Sequence, residues 1–341
     1  MKRTIIYIDN FLTEHGHTPT TGIGLVNLFK EEGYNVVACS SKKNKVLRMA
    51  DMLSAIFNNR ENAIVIIATY STSAFYFAWS CAKLCQFLKL PYITCLHGGN
   101  LPDRIIQSPA KCKDLFGKSF CNVAVSKYLG NKMEANGWPW TEVPNFIHLE
   151  HYPFKHRLKA APRLLWVRSF HEIYNPQLAI YIVHQILQKF PDLTLTMAGP
   201  AKDDSLEKCQ QLVKTLKLEA NISFTGLLPR KDWVALSSAH DFFINTTNFD
   251  NLPVSVIEAM ALGMVVISTN VGGMPFLIND GVDGILVPKE NAGAFAAIIE
   301  KLLNEQSFAA SLSEAARTTA LKFDYTIIQK KWANLLASVP E

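Results

Sequence analysis

The sequence predicts an α/β fold of two Rossmann-like, doubly wound parallel-sheet domains in tandem, and three observations carry that expectation. Short β-branched runs alternate with stretches of helical spacing, the pattern of strands joined by crossover helices and covered on both faces. The alternation occurs twice, in series separated by a proline-containing, basic stretch. The chain has 341 residues, more than one core comfortably organises, so two cores are expected.

In the first series, TIIYID (4–9) and NVVAC (35–39) read as strands. Between them, TGIGLVNLFKEEGY spaces Ile23, Val26 and Phe29 at helical intervals and stops at Gly33. AIVIIA, an aromatic-rich helical stretch from Ser71 to Leu88, and PYITCLHGG continue the pattern. CNVAV (121–125) followed by SKYLGNKMEANG adds one more unit. From Thr141 to Ala161 the alternation lapses, and the stretch is taken as the interdomain connection.

The second series runs RLLWV, NPQLAIYIVHQILQKF, LTLTMAG, a charged helix from Asp203 to Leu218, NISFTG, KDWVALSSA and DFFIN. It closes with PVSVIEAMAL and VVIST. Domains are expected at 1–158 and 159–323, with a final helix in 324–341 whose stripe of Tyr325, Ile328, Trp332 and Leu335 packs back on the first. Ligands of such sheets sit outside the carboxyl ends of the strands.

Composition narrows the function classes. A net charge of +5 is too small to imply nucleic acid but suits an acidic substrate or an anionic membrane surface. Seven cysteines, at 39, 81, 85, 95, 112, 121 and 209, form no CxxC pair, so reduced thiols and a cytoplasmic location are expected. MKRTIIYIDNF has no small-residue cleavage site, and the apolar region 63–96 is interrupted by Lys83, Lys89 and several hydroxyl residues, so neither a leader nor a membrane span is expected. The basic stretches KKNKVLR (42–48) and KCKDLFGK (111–118), with Phe75, Tyr76, Phe77 and Trp79, are a candidate peripheral contact with the inner face of a membrane. Solvated loops and core aromatics are the alternative.

NTTNFDNLPVSVIEAMALGMVVISTNVGG (245–273) holds the strongest functional signal. Pro253 suits a first helical turn and Gly263 the position after the end. Glu258 falls mid-helix among Val254, Ile257, Ala261 and Leu262, where a carboxylate is tolerated only if something hydrogen-bonds to it. A ligand, a backbone group or an arginine would serve. Asp250 and Asn251 precede the helix, whose unpaired N–H groups and dipole favour an anion. A phosphorylated, hydroxylated ligand fits both halves.

DNLPVSVIEAMALGMVVI followed by Gly272 and Gly273 resembles the hallmark phrase of retaining glycosyltransferase family 4, whose fold is GT-B. VPNFIHLEHYPF resembles the family's I-P-N-G-x-D-x-x-x-F connection, NVAVSKYL its V-x-V-S strand end and CLHGG its H-G strand end. Two departures stand out. Asp250 occupies the place of the usual first Glu, and the phosphate phrase G-R-L-x-x-x-K-G has become WVRSFHEIYNP, which keeps Arg168 but supplies no Lys.

The resemblance implies that Glu258 accepts hydrogen bonds from the donor ribose and that Asp250 holds sugar hydroxyls or stabilises positive charge near the anomeric carbon. A helix-entry cap is the structural alternative for Asp250. Backbone N–H groups of Asn251, Leu252 and Val254 are candidates for the donor, and Arg168 for its diphosphate, with Asn175 and Pro176 opening a helix that could assist. His97 resembles the family's histidine near the donor sugar, and Gly98 and Gly99 let a backbone approach a ligand on the acceptor side. Gly22 and Gly24, with Thr18 and Thr20 in HTPTTGIG, are candidates for donor phosphate and acceptor. Asn27 stands at the third glycine of a dinucleotide fingerprint, which argues against a dehydrogenase. His148, His151 and His156 match no metal-ligand spacing, and no Asp-x-Asp motif exists, so neither metal nor cofactor is expected.

The expected function is transfer of a sugar from a nucleotide-diphosphate donor, UDP-linked by the family's habit, to a glycan or lipid-linked hydroxyl in cell-surface polysaccharide synthesis. A UDP-sugar epimerase and an inactive nucleotide-sugar-binding subunit are the alternatives.

Overall fold

A computed structural model describes residues 2–12 and 21–340. The chain divides into two compact units, Met1–Asn145 with Ile328–Glu341, and Phe146–Ile327. The stretch 146–158, expected with the first domain, therefore groups with the second. Ile147 N–H donates to the Phe323 carbonyl at 2.9 Å, and the buried Arg157 donates to the carbonyls of Ser237 and His240 at 3.1 and 3.2 Å.

The first unit is built on β1 (Thr4–Ile8), β2 (Asn35–Cys39), β3 (Ala63–Thr69), β4 (Tyr92–Leu96), β5 (Cys121–Ala124) and β6 (Trp140–Glu142). They form one parallel sheet in the order β2-β1-β3-β4-β5-β6. Every residue of β3 is buried, which is why AIVIIAT reads as an unbroken apolar run. Its helices are α1 (Thr21–Glu31), α2 (Lys45–Asn58), α3 (Phe75–Leu88), α4 (Leu101–Gln107), α5 (Pro109–Phe116) and α6 (Lys127–Ala135). Trp332 is buried edge-on against Phe29 of α1, ring centroids 5.2 Å apart, a geometry worth about 1 kcal/mol beyond the area it covers.

The second unit contains β7 (Arg163–Val167), β8 (Thr194–Ala198), β9 (Ile222–Gly226), β10 (Phe242–Asn245), β11 (Val265–Thr269) and β12 (Ile285–Val287). This sheet is also parallel, in the order β12-β11-β10-β7-β8-β9. Its helices are α7 (Pro176–Ile186), α8 (Ser205–Thr215), α9 (Arg230–Ser237), α10 (Val254–Ala261), α11 (Met274–Leu277), α12 (Ala292–Asn304) and α13 (Gln306–Ala320), and α14 (Tyr325–Ala337) follows. In α14 the buried stripe is Ile328, Trp332 and Leu336, one position on from the expected Leu335. Tyr325 instead stacks on His148 at 4.6 Å.

Strand order fixes where each sheet can receive a ligand. In the second unit the chain winds outward from β7 through β8 to β9, then restarts at β10 on the other side of β7. The switch point lies between β7 and β10. In the first unit it lies between β1 and β3. Crossovers diverge at these points and leave a crevice at the carboxyl ends of the strands. All seven cysteines are buried free thiols, and no helix among the described residues is long and apolar enough to cross a membrane.

Candidate active site

Two of the singled-out side chains meet at the second unit's switch point. Arg168 directly follows β7, and its backbone N–H donates to the Ala198 carbonyl at 3.0 Å. Its Nη2 forms an ion pair with Oδ2 of Asp250, in the loop after β10. The guanidinium lies 4.3 Å from the ring centre of Tyr174. Burial pulls the Arg168 pKa down from its ordinary value, while Tyr174 and Glu258 pull it back up. Its Nε is buried and makes no hydrogen bond among the described residues. A buried N–H in that state costs free energy until an acceptor arrives.

Asp250 is not a helix cap. Its Oδ1 accepts from the Asn251 N–H at 2.8 Å, so that donor is already engaged, and the helix begins only after Pro253. The loop is pinned from several sides. Trp166 Nε1 donates to Thr246 Oγ1 at 3.0 Å, Thr246 Oγ1 to the Tyr174 carbonyl at 2.9 Å, and Asn248 N–H to the Ile173 carbonyl at 2.8 Å. Gly272 and Gly273 press against its other face, where a Cβ on either would run into the carbonyl oxygens of Asp250 and Asn251. Gly272 also has φ +53°, and Gly273 N–H donates to the Asp250 carbonyl at 3.0 Å. The paired glycines thus set the position of the acidic loop.

Leu252 is buried beside this loop, and Val254 opens α10, whose first turn holds no acidic residue and whose start has no side-chain cap. The other end is covered by cations. Arg157 donates to the Leu262 carbonyl, and Arg317 donates to the Ala261 carbonyl at 2.7 Å. Positive charge at the C-terminus complements the helix dipole and leaves the uncapped start suited to an anion.

Glu258 is buried, 7% exposed, and its Oε1 is held by two groups that sequence reasoning missed. The hydroxyl of Tyr152 donates to it, and Arg230 Nε lies 3.6 Å away. Among the described residues Oε2 accepts no hydrogen bond. Burial raises the Glu258 pKa above the usual carboxylate range, opposed by Tyr152, Arg230 and Arg168. Burial beside Glu258 likewise raises the Tyr152 phenol. The signals were slight: Tyr152 is the aromatic that ends the connection motif, and Arg230 opens α9 after Pro229.

Asn175 differs from its expected role. It sits in the left-handed region at φ 45° and its side chain does not cap α7; its Nδ2 donates to Asn248 Oδ1 at 3.3 Å. It braces the same loop as Thr246.

In the first unit His97 follows β4, and its N–H and that of Gly98 both donate to the Thr69 carbonyl at 3.1 Å. Nδ1 lies 3.4 Å from Thr21 Oγ1, and Nε2 is buried without a hydrogen bond among the described residues. Burial lowers the His97 pKa against the pull of Asp9, so the neutral imidazole is favoured near pH 7. Tyr70 lies beside it, ring centroids 5.9 Å apart, and donates to Asp9 Oδ1 at 2.9 Å. Gly98 is small for a reason internal to the fold, since a Cβ there would lie 2.6 Å from Ser71 N. Gly99 is next in the same loop. Gly22 and Gly24 lie in the first turn of α1, and Thr18 and Thr20 fall outside the described residues.

Residues 150–319 match the model of a family described as glycosyl transferases group 1. The D-inositol 3-phosphate glycosyltransferase of Corynebacterium aurimucosum is 26% identical over 176 residues, covering 50% of this chain and 42% of that protein. The amylovoran biosynthesis glycosyltransferase AmsK of Erwinia amylovora is 26% identical over 270 residues, covering 72% of this chain and 63% of the relative. The matches thus span roughly half the length of these curated relatives. Among solved structures, Anabaena Alr3699/HepE in complex with UDP-glucose superposes with a TM-score of 0.82 at 16% identity, covering 99% of this chain and 100% of that one. At that identity the likeness establishes the fold, which is the expected GT-B class.

Proposed function

We propose, from the glycosyl transferases group 1 sequence that residues 150–319 carry, that the chain moves a sugar from a nucleotide-diphosphate donor to a glycan or lipid-linked hydroxyl. The donor is a UDP-sugar, the anomeric configuration is retained, and no metal ion takes part. One observation carries the reading: a buried arginine with an unsatisfied Nε N–H stands beside a carboxylate at the second unit's switch point. A diphosphate oxygen supplies the missing acceptor. As the glycosidic bond breaks, negative charge grows on that diphosphate, and a preorganised guanidinium stabilises it more in the transition state than in the ground state.

The remaining groups take complementary parts. Glu258, with Oε1 fixed by Tyr152 and Arg230, offers Oε2 to the ribose hydroxyls. Asp250 turns to the sugar hydroxyls as the diphosphate competes for Arg168. The start of α10 adds its dipole to the phosphate field. Within the first unit His97, kept neutral by burial, is suited to hydrogen-bond a sugar hydroxyl. UDP-glucose in the Anabaena neighbour and polysaccharide biosynthesis among the relatives support the choice of substrates. The location proposed is cytoplasmic.

Titration calorimetry with UDP and GDP, joined to a UDP-release assay over a panel of UDP-sugars and acceptors, tests this. Binding of UDP with acceptor-dependent release is expected, and failure of the intact chain to bind either nucleotide overturns the site. The Arg168–Asp250 pair favours one second reading, a binding subunit whose acidic side chain stays locked, and tight UDP binding without turnover is its signature. Conversion of the donor with no acceptor present would mark an epimerase instead.

A further inference from the structure

We infer that the first unit carries a surface for an anionic lipid bilayer, formed by the starts of α2 and α3 with α4 and α5. The helices α2, α3 and α4 follow β2, β3 and β4 in a parallel sheet, so their first turns lie at the carboxyl edge, the edge that also bears His97. Residues 41–47 are all exposed, a run with three lysines, Lys42, Lys43 and Lys45, and two aliphatic tips. Val46 is 76% and Leu47 61% exposed, and Ile106 on α4 is 77% exposed.

Side-chain hydrogen bonds from Arg48 and to Asn44 hold the loop that presents this face. Arg48 is buried beneath the loop, where Nε and Nη2 donate to the carbonyls of Lys42 and Lys43 at 2.7 and 2.9 Å and Nη1 to Asn10 Oδ1 at 2.9 Å. The Asn44 side chain accepts from Val46 and Leu47 N–H at 2.9 and 3.2 Å, fixing the turn that presents them. A run of aromatics then joins the helices. Arg48 lies 5.7 Å from the Phe77 ring, Arg104 lies 5.5 Å from Phe75, and Lys111 lies 5.5 and 5.8 Å from Tyr76 and Trp79. Arg104 also donates to the Ser71 carbonyl at 2.9 and 2.6 Å, and Ser71 is the residue against which Gly98 packs. The surface therefore adjoins the His97 loop.

The chemistry selects the occupant. Between 42 and 51 four cations, Lys42, Lys43, Lys45 and Arg48, accompany a single carboxylate, Asp51, which accepts from Ser40. Aliphatic tips set among lysines, with tyrosine and tryptophan behind, match a headgroup layer in which cations meet lipid phosphate and short apolar side chains reach the acyl boundary. An acceptor held in that bilayer would then be delivered at the edge of the sheet where the His97 loop sits. The lipid contact requires no donor, so it stands or falls separately from glycosyl transfer.

Co-sedimentation of the intact chain with vesicles of phosphatidylglycerol and phosphatidylcholine, compared with phosphatidylcholine alone, is the test. Binding to the anionic vesicles is expected at low salt, with loss near 0.5 M salt, about where screening removes such attraction. Val46→Asp with Leu47→Asp should weaken partitioning on the order of tenfold or more. Each of Lys42→Glu, Lys43→Glu and Lys45→Glu should weaken it roughly fivefold or more. All five positions are exposed, and unchanged far-UV circular dichroism verifies folding. Phe87→Asp is the internal control, because Phe87 is 82% exposed at the opposite end of α3. The assignment is overturned by equal recovery with and without anionic lipid, or by a Phe87→Asp loss equal to that of the α2 pair. Binding to polyglutamate in the absence of vesicle binding would give the face to an acidic protein and overturn it as well.

Discussion

The two sheets share one winding principle and furnish their switch points with opposite chemistry. In the second unit the crevice between β7 and β10 holds Arg168 and Asp250, with Glu258 drawing on the same field. In the first unit the crevice between β1 and β3 holds Asp9 bonded to a tyrosine hydroxyl, and burial favours the neutral imidazole of His97. The contrast teaches a division of labour. A guanidinium in a part-buried crevice suits a polyanion such as a diphosphate, whereas a tyrosine hydroxyl and a neutral imidazole suit the uncharged hydroxyls of a sugar.

Breaking the charged half should have the largest effect. Arg168→Ala is expected to lower UDP release by about 10²–10³. It also strands Asp250, so thermal stability should fall and Arg168→Ala with Asp250→Asn should recover the stability without the activity. Recovery of both would remove Arg168 from catalysis. His97→Ala comes next, with turnover falling by about 10² while UDP affinity measured by calorimetry stays unchanged. Loss of UDP affinity in that variant would erase the distinction between the units.

Smaller effects sharpen the role of Glu258. Glu258→Gln should weaken UDP roughly tenfold, the scale of a hydrogen bond to a charged group. Because burial raises its pKa, the wild-type carboxylate takes up its proton at a higher pH than an ordinary glutamate as the solution is acidified. Nucleotide affinity should therefore begin to fall at a higher pH in wild type than in Glu258→Gln, which lacks that proton. The sign for stability is opposite: a folded pKa above the unfolded one contributes stability present at low pH and lost as pH rises through the folded value. Tyr152→Phe should raise the donor KM a few-fold with kcat unchanged, since it loosens one oxygen of Glu258. A change in kcat alone would deny Tyr152 a positioning role. Chelation with EDTA should change nothing in the release assay.

Much of the fold was legible because parallel strands buried on both faces must be written as continuous apolar runs, as in AIVIIA and VVIST. The phrase around Glu258 was legible for the same reason, a carboxylate in an apolar helix being conspicuous. What escaped depends on partners distant in sequence. Tyr152 reaches Glu258 across 106 residues, and neither residue announces the other. α2 passed unnoticed because its buried face is only Arg48, Met52 and Ile56, a narrow stripe led by a cation. Asn175 looked like a cap from its neighbour Pro176, whereas tertiary bonding to Asn248 claimed its side chain.

The buried cysteines give the chain a reporter that needs no added label. Six thiols lie in the first unit and Cys209 alone in the second. Burial pushes the thiols up, to about 12 for Cys39 and Cys209 and about 11 for Cys121, so alkylating reagents meet almost no thiolate in the native protein. Each modification then marks an opening event, and peptide mapping assigns it to its unit. Added UDP should slow labelling at Cys209 and leave Cys121 unprotected if the nucleotide binds the second unit alone, a readout of donor binding that requires no acceptor and no turnover.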